Sequence, residues 1–447
     1  MDTLELISRF FSFADHNVRS VVLGSSLLGA TAGAMGCFAY LQRRSLLGDA
    51  LAHAALPGVA LAFLLTGEKQ MIVLLAGGGL SSWLGALSVQ AITAHSRIKE
   101  DTALGIVLSA LFGLGILLLS VMQNSPTGNQ AGLASFIFGK AAALTTQDVI
   151  AIGSIFGLLV LILAFAFKRL GAVVFDHGFA RSIGLPVRFL QIAITSLIVA
   201  AVVVGLQAVG VVLISALLIA PAASARQWTN TFGTMILLAA MFGMIAGIGG
   251  ALVSFLAPAM PTGPWVVVVI SLIFLFSVLI SPRRGIVTSL ARSIRLRLQM
   301  NQDHLLKESY RLAEKSGRLD TYIPLNELRQ QRSFTPGSVW FGLLILEFRR
   351  LIRQSAGMAQ LTPTGITEAA RVIRRHRLWE VYLSRHFELP ADHLHRDAEK
   401  MEHLITPQME EALSKFLDNP QTDPHDRPIP YASDGQTLTT DQTEKKR

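Results

Sequence analysis

Pro264-Trp265-Val266-Val267-Val268-Val269-Ile270-Ser271-Leu272-Ile273-Phe274-Leu275-Phe276-Ser277-Val278-Leu279-Ile280 runs without a charge into Ser281-Pro282-Arg283-Arg284. Beyond it the pattern changes to a basic amphipathic stretch from Arg283 to Arg297. An uncharged run of this kind suits a hydrocarbon core, and the paired arginines suit the headgroup level at its end. The stretch that follows suits the membrane surface. This junction divides the chain between two solvents. Residues 1–285 carry only 15 of the 39 Lys/Arg and 9 of the 30 Asp/Glu, and the remaining 162 residues hold the rest.

Working back from the junction, apolar segments long enough to span fall at about 20–41, 47–66, 71–94, 103–122, 147–167, 189–206, 209–225, 232–257 and 264–281. The expectation is an all-α polytopic membrane protein of about nine spans, since each crossing takes roughly 20 apolar residues. Lys and Arg at the segment ends gather on one side: Arg43/Arg44, Arg97/Lys99, Lys168/Arg169/Arg181/Arg188, Arg226 and Arg283/Arg284, against mainly Lys69 on the other. The asymmetry places the N-terminus outside and the C-terminus inside. Ala131–Leu144 is apolar but short and contains Lys140, which fits a re-entrant or interfacial segment. No basic start and small-residue cleavage site marks a removable signal peptide.

Composition narrows the function. With 51% hydrophobic and 15% charged residues, a wholly water-soluble protein is excluded. The net charge of +9 sits largely at the span ends, so it is weak support for nucleic acid. The single cysteine, Cys37, rules out an intrachain disulfide framework. No G-x-x-x-x-G-K-[ST] loop occurs, so the chain is not expected to hydrolyse ATP or to carry a nucleotide site.

Downstream of the junction the boundaries read as a 283–300 basic linker, a 301–365 winged helix-turn-helix-like domain, 366–430 metal-binding and dimerisation helices, and a disordered 431–447 tail. Helices are expected over Asp303–Lys315, Pro324–Gln331 and Pro336–Ile352, a small β wing over Ser355–Thr364, and a long helix over Gly365–Arg385.

Two constellations carry chemistry. In Gly48-Asp49-Ala50-Leu51-Ala52-His53-Ala54-Ala55-Leu56-Pro57-Gly58 a carboxylate and an imidazole stand at i and i+4, on one helix face inside an apolar segment. Such a pair offers O and N ligands for Mn²⁺, Fe²⁺ or Zn²⁺, or else Asp49 caps the helix while His53 bonds a neighbour. In the soluble part, His376/Glu380 and His395/Glu399 are i,i+4 pairs, and Glu402 and His403 extend the second face. Divalent-metal ligation and a solvated salt-bridge face with Arg374, Arg375 and Arg396 both fit that spacing.

The run Gly48–Leu65 resembles the signature of ABC-importer permeases for manganese, zinc and iron. Lys99-Glu100-Asp101-Thr102-Ala103-Leu104-Gly105-Ile106, Leu213–Ala223 and Pro261-Thr262-Gly263-Pro264 follow the same family in the same order. The resemblance covers about residues 18–282. It implies Asp49 and His53 as ligands on the translocation path. It also implies that Asp176–Val187, with Asp176, Ala180, Arg181 and Gly184, couples to a separate ATPase. An extracytoplasmic metal-binding protein and a second permease, identical or a sister, are the other implied partners.

Leu361-Thr362-Pro363-Thr364-Gly365, Arg375–Glu380, His395–His403 and Pro424–Pro430 resemble the diphtheria-toxin-repressor family of metal-dependent regulators over roughly 301–430. That likeness implies His376, Glu380, His395, Glu399, Glu402 and His403 as regulatory metal ligands, with His304 an additional candidate. Glu399, where iron regulators of the family have Cys, looks more like the manganese-responsive branch. The reading helix departs from the family: Val339-Trp340-Phe341-Gly342-Leu343-Leu344-Ile345-Leu346 is apolar where bases and phosphates need polar partners. Only Arg349, Arg350 and Arg353 at its end suit DNA contact. The expectation is therefore a divalent-metal permease with a fused cytoplasmic metal sensor. The alternative is a permease fused to a DNA-binding repressor, possibly released by proteolysis. A proton-coupled carrier has little support, because Asp49 and Asp148 are nearly the only acids in the spans.

Overall fold

The structure, a computed structural model, describes residues 3–67, 71–123, 139, 144–257, 260–330, 336–387 and 405–431. The chain forms two compact units, Met1–Ser289 and Leu290–Arg447. Each has its own core.

The first unit is helical throughout. A short α1 (Thr3–Phe11) precedes α2 (His16–Leu41), α3 (Leu47–Thr66), α4 (Met71–His95), α5 (Glu100–Gln123) and α6 (Thr146–Phe175). After α7 (His177–Ser182) come α8 (Val187–Val209), α9 (Val211–Trp228), α10 (Phe232–Leu256) and α11 (Thr262–Ile280). Among the described residues, nine helices are long and apolar enough to cross a membrane, and they coincide with the nine segments expected from sequence. Ile72, Leu65 and Phe165 are more than 80% exposed, which lipid rather than water accommodates. The expected re-entrant segment at 131–144 and the tail at 432–447 lie almost wholly outside the described residues.

Close backbone approach holds this unit together. The helix α2 packs against α6, α8, α9 and α10. A Cβ added to Gly29 would run into the Gly243 carbonyl of α10, and one on Gly36 into the Leu218 carbonyl of α9. In a bilayer, where burying apolar side chains gains little over lipid, small residues let helices gain dispersion contact instead. Likewise α3 lies against α4, where a Cβ on Gly77 would stand 2.5 Å from the Gly58 carbonyl. Asp148 closes a capping box at the start of α6: its Oδ2 accepts from Thr145 N–H at 2.8 Å, and Thr145 Oγ1 accepts from Asp148 N–H at 3.3 Å. That gives this acid a helix-capping role.

The second unit contains most of α12 (Ile286–Lys315), then β1 (Ile323–Pro324), α13 (Leu325–Gln330), α14 (Pro336–Phe348), β2 (Ile352–Ser355), β3 (Met358–Leu361), α15 (Pro363–Phe387) and α16 (Pro407–Phe416). The strands form an antiparallel sheet of order β1-β3-β2, with Ile323 opposite Ala359 and Ile352 opposite Leu361. The β2–β3 hairpin turns on Ala356 and Gly357, both at positive φ (47° and 78°), as a two-residue turn between right-twisted strands requires. This is a winged helix. Its core joins Leu305 and Tyr310 of α12 with Val339, Leu343 and Leu346 of α14, Ile352, Leu361 and Ile373.

Two local expectations are corrected. The basic stretch and the Asp303–Lys315 helix are one continuous helix, because neither Gly nor Pro occurs between Ile286 and Lys315. The helix expected over Pro336–Ile352 stops at Phe348. The chain turns at Arg350 (φ 58°), so that Ile352, 1% exposed, enters the sheet. The wing therefore begins at Ile352 rather than Ser355.

Candidate metal path and regulatory site

On α3, Ala50, Leu51, Ala52, Ala54 and Ala55 are buried, whereas Asp49 and His53 keep side-chain exposures of 36% and 17%. The i,i+4 spacing brings His53 Nε2 to 3.6 Å from Asp49 Oδ1. The ring lies edge-on to Phe112 of α5 at 4.7 Å between centroids. Its Nδ1 is buried without a hydrogen-bond partner. Pro57, four residues on, has no amide hydrogen for the His53 carbonyl. Neighbouring helices fix the segment: Ser82 Oγ donates to Leu51 O and Ser81 Oγ to Ala54 O, each at 2.7 Å. A Cβ on Gly48 would meet Leu218 of α9 at 2.8 Å. Arg44 Nε, just before α3, lies 2.5 Å from Glu100 Oε1 at the start of α5. Three of the sequence stretches singled out above thus meet around α3. Sequence reasoning missed Phe112 and the two serines of α4, because no local pattern marks a residue that serves a distant helix.

The expected coupling segment contains a single short helix, α7. Asp176 caps it, its Oδ1 accepting from Gly178 N–H (2.8 Å) and Phe179 N–H (3.0 Å). Ala180 is buried, Arg181 is exposed, and Gly184 takes φ 80° to leave the helix. Phe179 and Ile183 are more than half exposed, a pair of projecting apolar side chains that the sequence reading did not single out.

In the second unit, His376 and Glu380 share one face of α15, with Nε2 3.1 Å from Oε1, and both are buried. Imidazole and carboxylate at this separation inside a protein are a donor set suited to a divalent transition metal. His395, Glu399, Glu402 and His403 lie outside the described residues. Among the described residues no group of three His, Cys, Asp or Glu could hold a metal ion. Neither Asp49/His53 nor His376/Glu380 gains a third ligand there, and half-buried His304 on α12 does not join them.

The helix carrying His376 is anchored by its neighbour Arg377, which is 2% exposed. That guanidinium binds Glu314 of α12 in bidentate fashion (3.1 and 2.6 Å), approaches Asp423 Oδ2 at 3.6 Å and donates to the Pro428 carbonyl. Asp423 in turn accepts from the amides of His425 and Arg427, both at 2.8 Å. Arg374 pairs with the buried Glu410 of α16. The arginines proposed for DNA stand beyond the helix expected to read it. Arg349 and Arg350 are in the turn after α14, Arg349 donating to Gln302 Oε1 at 2.9 Å, and Arg353 lies on β2.

Among the described residues, nine apolar helices, one of which carries an acid–imidazole pair, followed by a winged helix and a long helix with a second such pair, define a membrane permease fused to a metal-regulator module. Residues 14–281 match the ABC 3 transport family, and the chain belongs to it. Residues 362–431 match the iron dependent repressor metal binding and dimerisation domain. The manganese transport system membrane protein MntC of Bacillus subtilis (strain 168) is 41% identical over 374 residues, 83% of this chain and 85% of that protein. The zinc transport system membrane protein TroC of Treponema pallidum (strain Nichols) is 44% identical over 289 residues, 64% of this chain and 96% of TroC. Among solved structures, PsaBC from Streptococcus pneumoniae in complex with Fab has a TM-score of 0.56 at 32% identity, covering 62% of this chain and 97% of that one.

Proposed function

We propose that this chain conducts a divalent transition metal, Mn²⁺ or Zn²⁺ as for its named relatives and Fe²⁺ by the same ligand chemistry, across a bacterial inner membrane. The observation that carries the reading is the Asp49–His53 pair, whose side chains stay partly accessible while Ala50, Leu51, Ala52, Ala54 and Ala55 around them on α3 are buried. In the proposed path Asp49 and His53 replace part of the ion's water shell. The His53 carbonyl, which Pro57 leaves without its i+4 amide donor, supplies a further oxygen as the ion passes. Alternating access is driven from outside the chain: a separate ATPase docks on α7 through Phe179, Arg181 and Ile183, and an extracytoplasmic metal-binding protein delivers the cargo. Two permeases, identical or sister, form the conducting pair.

The C-terminal unit is proposed to lie in the cytoplasm and to sense the transported metal. His376 and Glu380 hold one side of the regulatory ion, with His395, Glu399, Glu402 and His403 completing its ligand set and His304 a further candidate. Such a metal would supply positive charge linking these ligand residues, and the helices that carry them would then favour the arrangement in which the permease is closed. Uptake into proteoliposomes loaded with increasing internal metal tests this. Wild type slows as internal metal rises, and E402A/H403A does not. Equal slowing in both would remove the sensor role. The second reading, a fused repressor that binds DNA, is favoured by the intact winged helix, and its marker is metal-dependent binding of promoter DNA by the full-length protein.

A further inference from the structure

The helix in the reading position of the winged helix is built for an apolar surface. Val339, Leu343 and Leu346 turn one face of α14 into the core, and Gly342 lets that face come up against Leu305 and Asn301 of α12. On the other face Trp340, Phe341, Leu344 and Phe348 are 61%, 43%, 47% and 89% exposed, with 340, 344 and 348 one above another at i,i+4 spacing. Base edges and phosphates are bound by hydrogen-bond donors and acceptors, and this stripe offers only the Trp340 indole N–H.

We propose that this face of α14 docks on the anionic lipid surface of the membrane that holds the permease. Three observations select lipid as the occupant. The first is charge: Arg349, Arg350 and Arg353 are exposed beside the stripe. The nearby acid, Glu347, is engaged by Gln354, whose Nε2 donates at 3.0 Å. Glu347 keeps its charge in that bond, so three arginines against one acid leave the flank net cationic, and an apolar stripe with such a flank complements acyl chains and anionic headgroups together. The second is length. The 13 residues of α14 reach about 20 Å at ~1.5 Å per residue, too short to cross a core of about 30 Å and long enough to lie in its surface. The third is the tether: the last span ends at Ile280 and α12 begins at Ile286, a short connection between the last span and the helix that leads into this unit. The first turns of α12 repeat the same chemistry, with Ile286, Val287, Leu290 and Ile294 exposed among Arg292, Arg295 and Arg297. A winged helix tied to a membrane thus presents to lipid the element that a free regulator presents to DNA.

The test uses the full-length protein in nanodiscs. Leu344→Cys is labelled with a polarity-sensitive fluorophore, and wild type, whose one cysteine Cys37 is buried, gives the labelling background. In phosphatidylglycerol nanodiscs the expected result is blue-shifted emission that spin-labelled lipid quenches. Both effects weaken in pure phosphatidylcholine and in Arg349→Gln/Arg350→Gln/Arg353→Gln. Phe348→Cys repeats the measurement if Leu344→Cys folds poorly, and a probe at exposed Lys315→Cys reports unshielded solvent. An unshifted, unquenched probe in phosphatidylglycerol overturns the proposal. So does shielding that arises only on adding the ATPase subunit, which identifies a protein partner, or only on adding duplex DNA, which restores the repressor reading. Metal uptake by the same variants is read separately, so a failure of the transport assignment is distinguishable from a failure of docking.

Discussion

The two units solve the same packing problem with opposite materials. In the permease, α2 meets α9 and α10 through Gly29, Gly33 and Gly36, whose missing side chains let carbonyl oxygens stand where a Cβ would be. In the C-terminal unit, α12, α15 and the 420–431 segment are joined by Arg377, a full-sized guanidinium taken out of water and surrounded by Glu314, Asp423 and a carbonyl. The solvent explains the difference. A helix in lipid gains little by burying more apolar surface, so closeness of backbones is what remains to be gained. A helix in water already gains apolar burial, and a buried charge there serves to fix one arrangement at a cost in desolvation.

The largest effect should come from filling a glycine. Gly36→Leu forces a side chain into the Leu218 carbonyl, where backbone on both sides must move. The cost should exceed the ~1–3 kcal/mol typical of overpacking, and folded permease should be lost. Size-exclusion of detergent-extracted protein reads this directly, and a monodisperse, stable G36L would show that the approach is not required. The corresponding test on the other side is Arg377→Ala. It leaves Asp423 buried without its counter-charge, so the C-terminal unit should lose about 3–5 kcal/mol, visible as an earlier calorimetric transition with the permease transition unchanged. Equal shifts in both transitions would mean that the two units do not melt independently.

Next in size is the loss of transport without loss of stability. Asp49→Ala or His53→Ala should lower metal uptake by about 100-fold or more, since even the outer partners of metal ligands are worth roughly 10–100-fold. Both side chains are partly exposed, so thermal stability should hardly move. Asp148→Asn provides the contrast. This acid is 6% exposed and closes a capping box, so it should cost about 1 kcal/mol of stability while uptake persists. Uptake abolished by D148N and retained in D49A would reverse the two assignments.

This contrast also shows what the sequence discloses. Hydropathy and the i,i+4 spacing of Asp49 and His53 are local properties, so all nine spans and the shared face of the pair were legible before the fold was known. The serines of α4 that bind α3 carbonyls, and Phe112 against the imidazole, were not, because their partners lie tens of residues away in sequence. At the wing, helix-favouring residues up to Leu351 concealed the stop at Phe348. What ended the helix was a tertiary demand, the entry of Ile352 into the sheet opposite Leu361. The residues proposed as regulatory metal ligands divide in the same way: His376 and Glu380 meet as their spacing requires, while the proposal for His395, Glu399, Glu402 and His403 rests on family resemblance.

The smallest effect separates buried from exposed charge within one unit. Arg318 and Asp320 form a bidentate pair at 3.2 and 3.1 Å beside the turn at Gly317, but with side chains 76% and 50% exposed. The guanidinium hydrogen bonds hold the Asp320 carboxyl below its ordinary value of 3.8. A depressed folded-state pKa contributes stability that is fully present above the unfolded value and is lost as pH falls through the folded one. Whatever this pair adds is therefore constant from neutrality down to about pH 4 and disappears below it. Water screens both partners, so Asp320→Asn should leave the neutral-pH transition of the C-terminal unit within error of wild type and only flatten its acid limb. Arg377→Ala, by contrast, should act at every pH at which the unit folds. If D320N and R377A gave similar losses at pH 7, burial would not be what distinguishes the two pairs. The contrast between a lipid-embedded unit joined by glycines and a water-facing one joined by buried charge would then lose its electrostatic half.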